Sequence, residues 1–187
     1  MFLFLVPLLT GFTFNSASAF TSYISRLLGE HGGRIACVVL RDVLGIPVWA
    51  IGYVMAVREP SAYLFKPTFF TSVLGWSFIL AGGAVIIAGL VSIRWRAMAP
   101  SVQDTLVMQG IYSHIRHPLY SGMLLELIGL FIYIPSVTVL VACVLGAVWV
   151  MIQARLEEID LVQRMPPYQE YMQQVPRFVP KVRLQKT

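Results

Sequence analysis

From Leu127 to Ile152 the chain carries no charged residue, and Ile134-Pro135-Ser136 interrupts that stretch near its middle. An apolar run of this length has few stable solutions. In a bilayer it folds as helices, because only a helix satisfies every backbone N–H and C=O within its own segment. Proline lacks the N–H that would continue a helical ladder. The reading is therefore a helical hairpin, 118–134 in one direction, a tight turn, and 136–152 back. Each arm has about 17 residues, the lower limit for crossing a bilayer.

Composition extends this reading to the whole chain. Of 187 residues, 57% are hydrophobic and only 12% charged, whereas soluble domains carry about 25% charged residues. The expected class is an all-α, polytopic integral membrane protein with about five transmembrane helices. Residues 2–20 are the first apolar run. Their ending, Ala17-Ser18-Ala19, has the look of a small-residue cleavage site, but no Lys or Arg precedes the run. A first membrane helix is the expectation. Residues 21–34, with Arg26, Glu30, His31 and Arg34, read as a polar connection with His31 in a loop.

The second run, 35–57, holds Arg41 and Asp42. Side chains one residue apart do not face each other on an α-helix, so direct pairing is not expected. Pro47 predicts a kink. Tyr63, Phe65, Phe69 and Phe70 suit an aromatic belt at a membrane interface. In the third run, 69–93, Gly75, Gly82, Gly83 and Gly89 would let helices approach closely. The chain thus divides into a three-helix membrane region, 1–93, and a second part, 94–187, made of a loop, the hairpin and a tail.

Charge sets the expected orientation. The net charge is +5 and most of the 14 Lys and Arg lie from Arg94 onward. The positive-inside rule places the 94–117 loop and the tail in the cytoplasm. No nucleic-acid motif is present, so the basic excess reads as cytoplasmic loops and contact with membrane lipid. Cys37 and Cys143 both lie in apolar runs and read as inert core thiols.

The hairpin brings its two ends together, so the stretch 110–122 and the tail share one side of the membrane. Arg116, His117 and Tyr120 are expected near Glu157, Glu158, Tyr168 and Tyr171. Carboxylates suit ribose hydroxyls or a cationic centre, and arginine suits a carboxylate. Aromatic rings suit a purine or a sulfonium. A glycine-rich phosphate loop is absent, which argues against a nucleoside triphosphate. S-adenosylmethionine offers each of these handles, although the residue types alone do not single it out. His114 and His117 would share a metal only on a helix; Pro118 interrupts one there, and no third ligand is evident, so no metal is expected. Lipid anchoring by Arg116, belt roles for Tyr112 and Tyr120, and a solvated face for Glu157 and Glu158 are the structural alternatives. For Glu126 a protonated carboxyl, a pair with Arg41, and a place in a substrate tunnel stay open. A non-catalytic transporter subunit or assembly factor also fits the composition.

The segment Asp104-Thr105-Leu106-Val107, then Gly110-Ile111-Tyr112, then Arg116-His117-Pro118-Leu119-Tyr120-Ser121-Gly122 resembles the isoprenylcysteine carboxyl methyltransferase family and the wider group of membrane phospholipid methyltransferases. The tail adds Glu157-Glu158, Leu161, Tyr168, Tyr171, Val175-Pro176 and Pro180. The resemblance covers residues 95–180. It implies S-adenosyl-L-methionine as cofactor, held by Asp104, Thr105, Leu106, Val107, Tyr112, His117, Pro118, Leu119, Tyr120, Glu157 and Glu158. On the chemistry of the acceptor, Arg116 or Arg155 would position a carboxylate, and Glu157, Glu158 or His114 are the candidate bases for an amine or a thiol. Relatives often carry histidine at Asp104, and an arginine before the acidic pair where this chain has Gln153. The implied acceptor is a lipophilic small molecule or lipidated substrate entering from the bilayer, first of all a prenylcysteine carboxylate. A phospholipid amine or a lipophilic thiol is the alternative.

Overall fold

The structure, a computed structural model, describes residues 2–93 and 105–181, and every regular element among them is a helix. The first, α1 (Leu5–Ser18), buries Leu8, Phe12 and Asn15. It forms the core with the α3 and α6 helices described below, where Phe12 stacks on Trp149 with ring centroids 4.5 Å apart.

The expected polar connection at 21–34 is helical instead. It belongs to α2 (Thr21–Val38), which bends at Gly29 with φ 74° and ψ 167°. That backbone conformation is essentially confined to glycine. Two short helical pieces, 21–28 and 30–38, fold back on each other there. A Cβ on Gly33 would lie 2.6 Å from Ser25 Cα, and Cys37 Sγ sits 3.9 Å from Thr21 Oγ1. His31 is an exposed helical residue. Polarity misled because Arg26, Glu30, His31 and Arg34 coat the outside of a helical hairpin that turns inward only Thr21, Gly33 and Cys37.

A π-helical segment, Val39–Gly45, follows and runs into α3 (Ile46–Arg58). Pro47 stands at the start of α3, and the change from π to α geometry occupies the place where a kink was expected. Here Arg41 and Asp42 do pair, contrary to expectation: Nε to Oδ1 is 2.8 Å and Nη2 to Oδ2 is 3.0 Å. A π turn holds more residues than an α turn. Neighbouring side chains diverge less, and the long arginine closes the remaining gap.

The next two helices, α4 (Phe69–Ile93) and α5 (Pro118–Tyr133), lie against each other along a glycine seam. A Cβ on Gly82 would come within 2.5 Å of Gly122 O, and one on Gly122 within 2.5 Å of Gly82 O. Gly75 and Gly129 repeat the arrangement one heptad away. Only glycine permits backbones this close. Gly83, grouped with these by sequence, faces away from the seam, its nearest neighbour being Glu126 Oε1 at 3.8 Å.

After the turn at Ile134–Ser136 comes α6 (Val137–Arg164), with Ser136 as its N-cap accepting from Val139 N. The turn is tied to the 61–64 link by Val137 N to Ala62 O at 3.0 Å and Leu64 N to Pro135 O at 2.8 Å. Pro166-Pro167 separates α6 from α7 (Tyr168–Gln174).

Among the described residues, three helices are long and apolar enough to cross a membrane: Thr21–Arg58, Phe69–Ile93 and Val137–Arg164. In the first of these, the bend at Gly29 leaves the part beyond it as the length available for crossing. At 14 and 16 residues, α1 and α5 are shorter; sixteen residues rise about 24 Å, less than the ~30 Å of hydrocarbon. Among the described residues, three of the five expected spans thus have the length and apolar composition to cross. Leu80, Ile87 and Val91 stand exposed along α4, an apolar surface suited to lipid. The aromatics Tyr63, Phe65, Phe69 and Phe70 are exposed together at the end where the hairpin turns.

Candidate active site

The end of the hairpin opposite that turn is built around two adjacent glutamates of α6. One helical residue turns about 100°, so Glu157 and Glu158 point to different surroundings. Glu158 is fully buried, its side chain 0% exposed. Its Oε1 accepts from Arg116 Nη2 at 2.8 Å and Nε at 3.2 Å, from His117 Nε2 at 3.2 Å, and from Arg177 Nε at 3.1 Å. Its Oε2 accepts from Arg177 Nη2 at 2.5 Å. A buried carboxylate is tolerable only with such complete pairing.

The arginines close the arrangement. Arg116 Nη1 donates to Met172 O and Val175 O, both at 2.6 Å. Backbone bonds run alongside, from Arg116 N to Pro176 O and from His117 N to Arg177 O. Ser121 Oγ adds a bond to Phe178 O at 2.8 Å. The Arg-His-Pro motif thus binds the tail to the start of α5. Pro118 sets that start as the first helical residue, where a missing N–H costs nothing.

Glu157 has another role. Its side chain is 32% exposed and lines a cavity of about 490 Å³, a volume usual for small-molecule sites. Its Oε1 accepts from Tyr120 Oη and from Gln153 Nε2, the latter at 3.2 Å. Its Oε2 takes no hydrogen bond from the described residues, and His117 Nδ1 lies 3.9 Å away. The His117 and Tyr120 rings stack with centroids 5.5 Å apart.

The remaining expected residues fall into three groups. Thr105, Leu106, Val107, Tyr112, Arg116, His117, Leu119, Tyr120, Glu157, Tyr168 and Tyr171 all line the cavity. Pro118, Glu158, Arg155 and His114 do not. Pro118 and Glu158 are buried beneath the wall, while Arg155 and His114 are exposed, His114 bonding to Ser113. Asp104 lies outside the described residues. Arg116 is a correction of a different kind: it reaches the cavity, but its guanidinium is engaged by Glu158 and two carbonyls and is not free for an acceptor carboxylate. Glu126 borders Gly82 and Gly83 beside the α4–α5 seam and is not among the lining residues. No group of three metal-ligating side chains occurs among the described residues.

The tyrosines provide an apolar wall. Tyr168 and Tyr171 are 3% and 4% exposed and pack with Met165 and Val175. Tyr171 Oη donates to Tyr112 O at 2.5 Å. Burial raises the Tyr112 and Tyr168 phenols above their ordinary value and pushes Tyr171 up to about 12. All three remain neutral at any physiological pH.

The opposite wall comes from residues that motif reading passed over. Asn15, Ser18 and Thr21 border the cavity from the first two helices, and Arg41, Asp42 and Trp49 from the π segment and α3. Asp160 and Arg164 of α6 also line it and pair at 2.8 Å. The one signal for this wall was the presence of two charges, Arg41 and Asp42, inside an apolar run.

A family model described as phospholipid methyltransferase matches residues 70–165. The chain belongs to the phospholipid methyltransferase family. This family is part of the isoprenylcysteine carboxyl methyltransferase-like group of membrane methyltransferases, so the chain is an integral membrane protein of a methyltransferase family. Neither a curated protein nor a solved structure matches it. The family segment contains the glycine seam, the Arg-His-Pro motif and both glutamates. The wall from α1 to α3 and the tail residue Arg177 lie beyond it.

Proposed function

We propose that the protein transfers a methyl group from S-adenosylmethionine to a lipophilic acceptor that reaches the cavity from the bilayer, with the cavity on the cytoplasmic side. The observation that carries this reading is Glu157, held by Tyr120 and Gln153 in the cavity wall with one carboxylate oxygen left for a ligand.

The residues present suit the methyl donor. Glu157 Oε2 would take ribose hydroxyls. Tyr112, Tyr168 and Tyr171, neutral and largely buried, would flank the purine, and the backbone of 105–107 lies along the same cavity. When bound, S-adenosylmethionine supplies a methyl already activated by its positive sulfur. The chain's own work is then to orient the acceptor and keep out water. The buried Glu158 cluster serves this by fixing His117 and the start of α5, and through them the Tyr120–Glu157 pair.

A carboxylate acceptor such as a prenylcysteine needs no base at neutral pH, only a cation to hold it. An amine acceptor must lose a proton to a base as the methyl is transferred. The carboxylates of Asp42, Glu157 and Asp160 around the cavity favour the amine as a second reading. Calorimetry and thermal unfolding with S-adenosylmethionine test the donor assignment; absence of both heat and thermal protection would reject it. Transfer of a labelled methyl into membrane extract, followed by identification of the labelled product, names the acceptor.

A further inference from the structure

Resting on the methyl-transfer reading, we infer that Gln153 is a positioning residue of the donor site, holding the Glu157 carboxylate in the orientation that receives the ribose of S-adenosylmethionine. Gln153 stands one helical turn before Glu157 on α6, so the two side chains share a face. It is 1% exposed. Its Nε2 lies 3.2 Å from Glu157 Oε1 and 3.5 Å from Asn15 O on α1. The Tyr120 hydroxyl, which donates to the same Glu157 oxygen, is also within hydrogen-bonding reach of the amide. Groups from α1, α5 and α6 therefore meet at Gln153. Glu157 Oε1 is held from two sides, and Oε2 is the oxygen left for a ligand.

The amide does this at a cost. A carboxylate and a backbone carbonyl only accept hydrogen bonds, so both contacts require the Nε2 end. The other end, Oε1, is buried and takes no hydrogen bond from the described residues. A buried acceptor without a donor destabilises a fold, and an apolar side chain of the same shape would remove that penalty. Nor does α1 need the amide to stay on α6. Phe12 stacks on Trp149, and Trp149 Nε1 donates to Ser16 Oγ at 3.1 Å. What an apolar side chain could not supply is the hydrogen bond to Glu157. The Glu157 side chain is 32% exposed, and a long side chain at a cavity wall keeps its rotamer freedom unless it is tied. A ligand that must order it binds more weakly.

The test uses the full chain, titrated with S-adenosylmethionine by calorimetry in lipid nanodiscs and unfolded thermally in detergent. Gln153→Met roughly keeps the volume and removes the amide. Its expected signature is a Kd raised about tenfold, as for loss of one charge-assisted hydrogen bond, with a Tm equal to that of wild type or above it. Gln153→Lys returns a donor to the same place and recovers part of the affinity, which a residue that only packs would not do. A Kd for Gln153→Met within about twofold of wild type overturns the assignment. So does a lowered Tm or a failure to fold, either of which makes Gln153 a structural residue, and so does a Gln153→Lys variant that recovers no affinity. These outcomes, with wild type still binding S-adenosylmethionine, remove this inference alone. Wild type that binds no S-adenosylmethionine removes the methyl-transfer reading itself, and this inference with it.

Discussion

Glu157 and Glu158 are sequence neighbours of identical chemistry, yet one belongs to a lock and the other to a cavity. Glu158, fully buried, holds two arginines and a histidine and through them the tail. Glu157, partly exposed, holds one phenol and one amide and faces open volume. The difference follows from the helical rotation between them and from what the tail brings to each side. In this acidic pair one residue is built into the structure and the other faces the cavity, so substitutions of the two are expected to act for unlike reasons.

Breaking the lock should have the largest effect. Glu158→Ala leaves the buried Arg116 without its carboxylate and should destabilise the fold by about 3–5 kcal/mol, the usual cost of stranding a buried charge. Thermal unfolding in detergent checks this, and a variant as stable as wild type would mean the tail is fixed by other contacts. Glu157→Gln should leave thermal stability nearly unchanged while weakening S-adenosylmethionine binding by roughly tenfold or more, the scale of one charge-assisted hydrogen bond. Calorimetry reads the affinity; a fall in stability instead would merge the two roles. Tyr120→Phe removes only the hydroxyl that Glu157 accepts, so a loss of about 0.5–1.5 kcal/mol in binding is expected, measured by the same titration. Arg155→Ala sharpens the contrast from the other side. On the exposed face of α6 it should change stability by no more than about 0.5 kcal/mol and leave methyl transfer intact, and a marked loss of turnover would return it to the site.

Leu127–Ile152 with its Pro135 turn announced the α5–α6 hairpin, and the hairpin implied that Arg116, His117 and Tyr120 would meet Glu157 and Glu158. That contact is present. What could not be read was the state of each group after meeting. Arg116 looks equally fit for a substrate in a sequence, and only the positions of Glu158, Met172 and Val175 reveal that it is engaged. The polar stretch 21–34 read as a loop because hydropathy registers average polarity, whereas Gly29 lets two short helices hide a narrow inner face. Arg41 and Asp42 were expected apart because the spacing rule assumes α geometry, which the segment Val39–Gly45 does not have.

The helical class, the apolar hairpin and a close-packing glycine surface on the third run follow from residue order alone, since each rests on local quantities: hydropathy, proline's missing donor and glycine's missing side chain. The family motif also stands in the sequence, because it is a matter of residue order. Which carboxylate is locked and which is open, and that the far wall of the cavity comes from the N-terminal region, emerge only once the helices are packed. Those outcomes depend on helix rotation and on contacts between segments more than a hundred residues apart, such as the hydrogen bonds from Gln153 Nε2 to Asn15 O and from Ser22 N to Asp160 Oδ1. No local pattern encodes them.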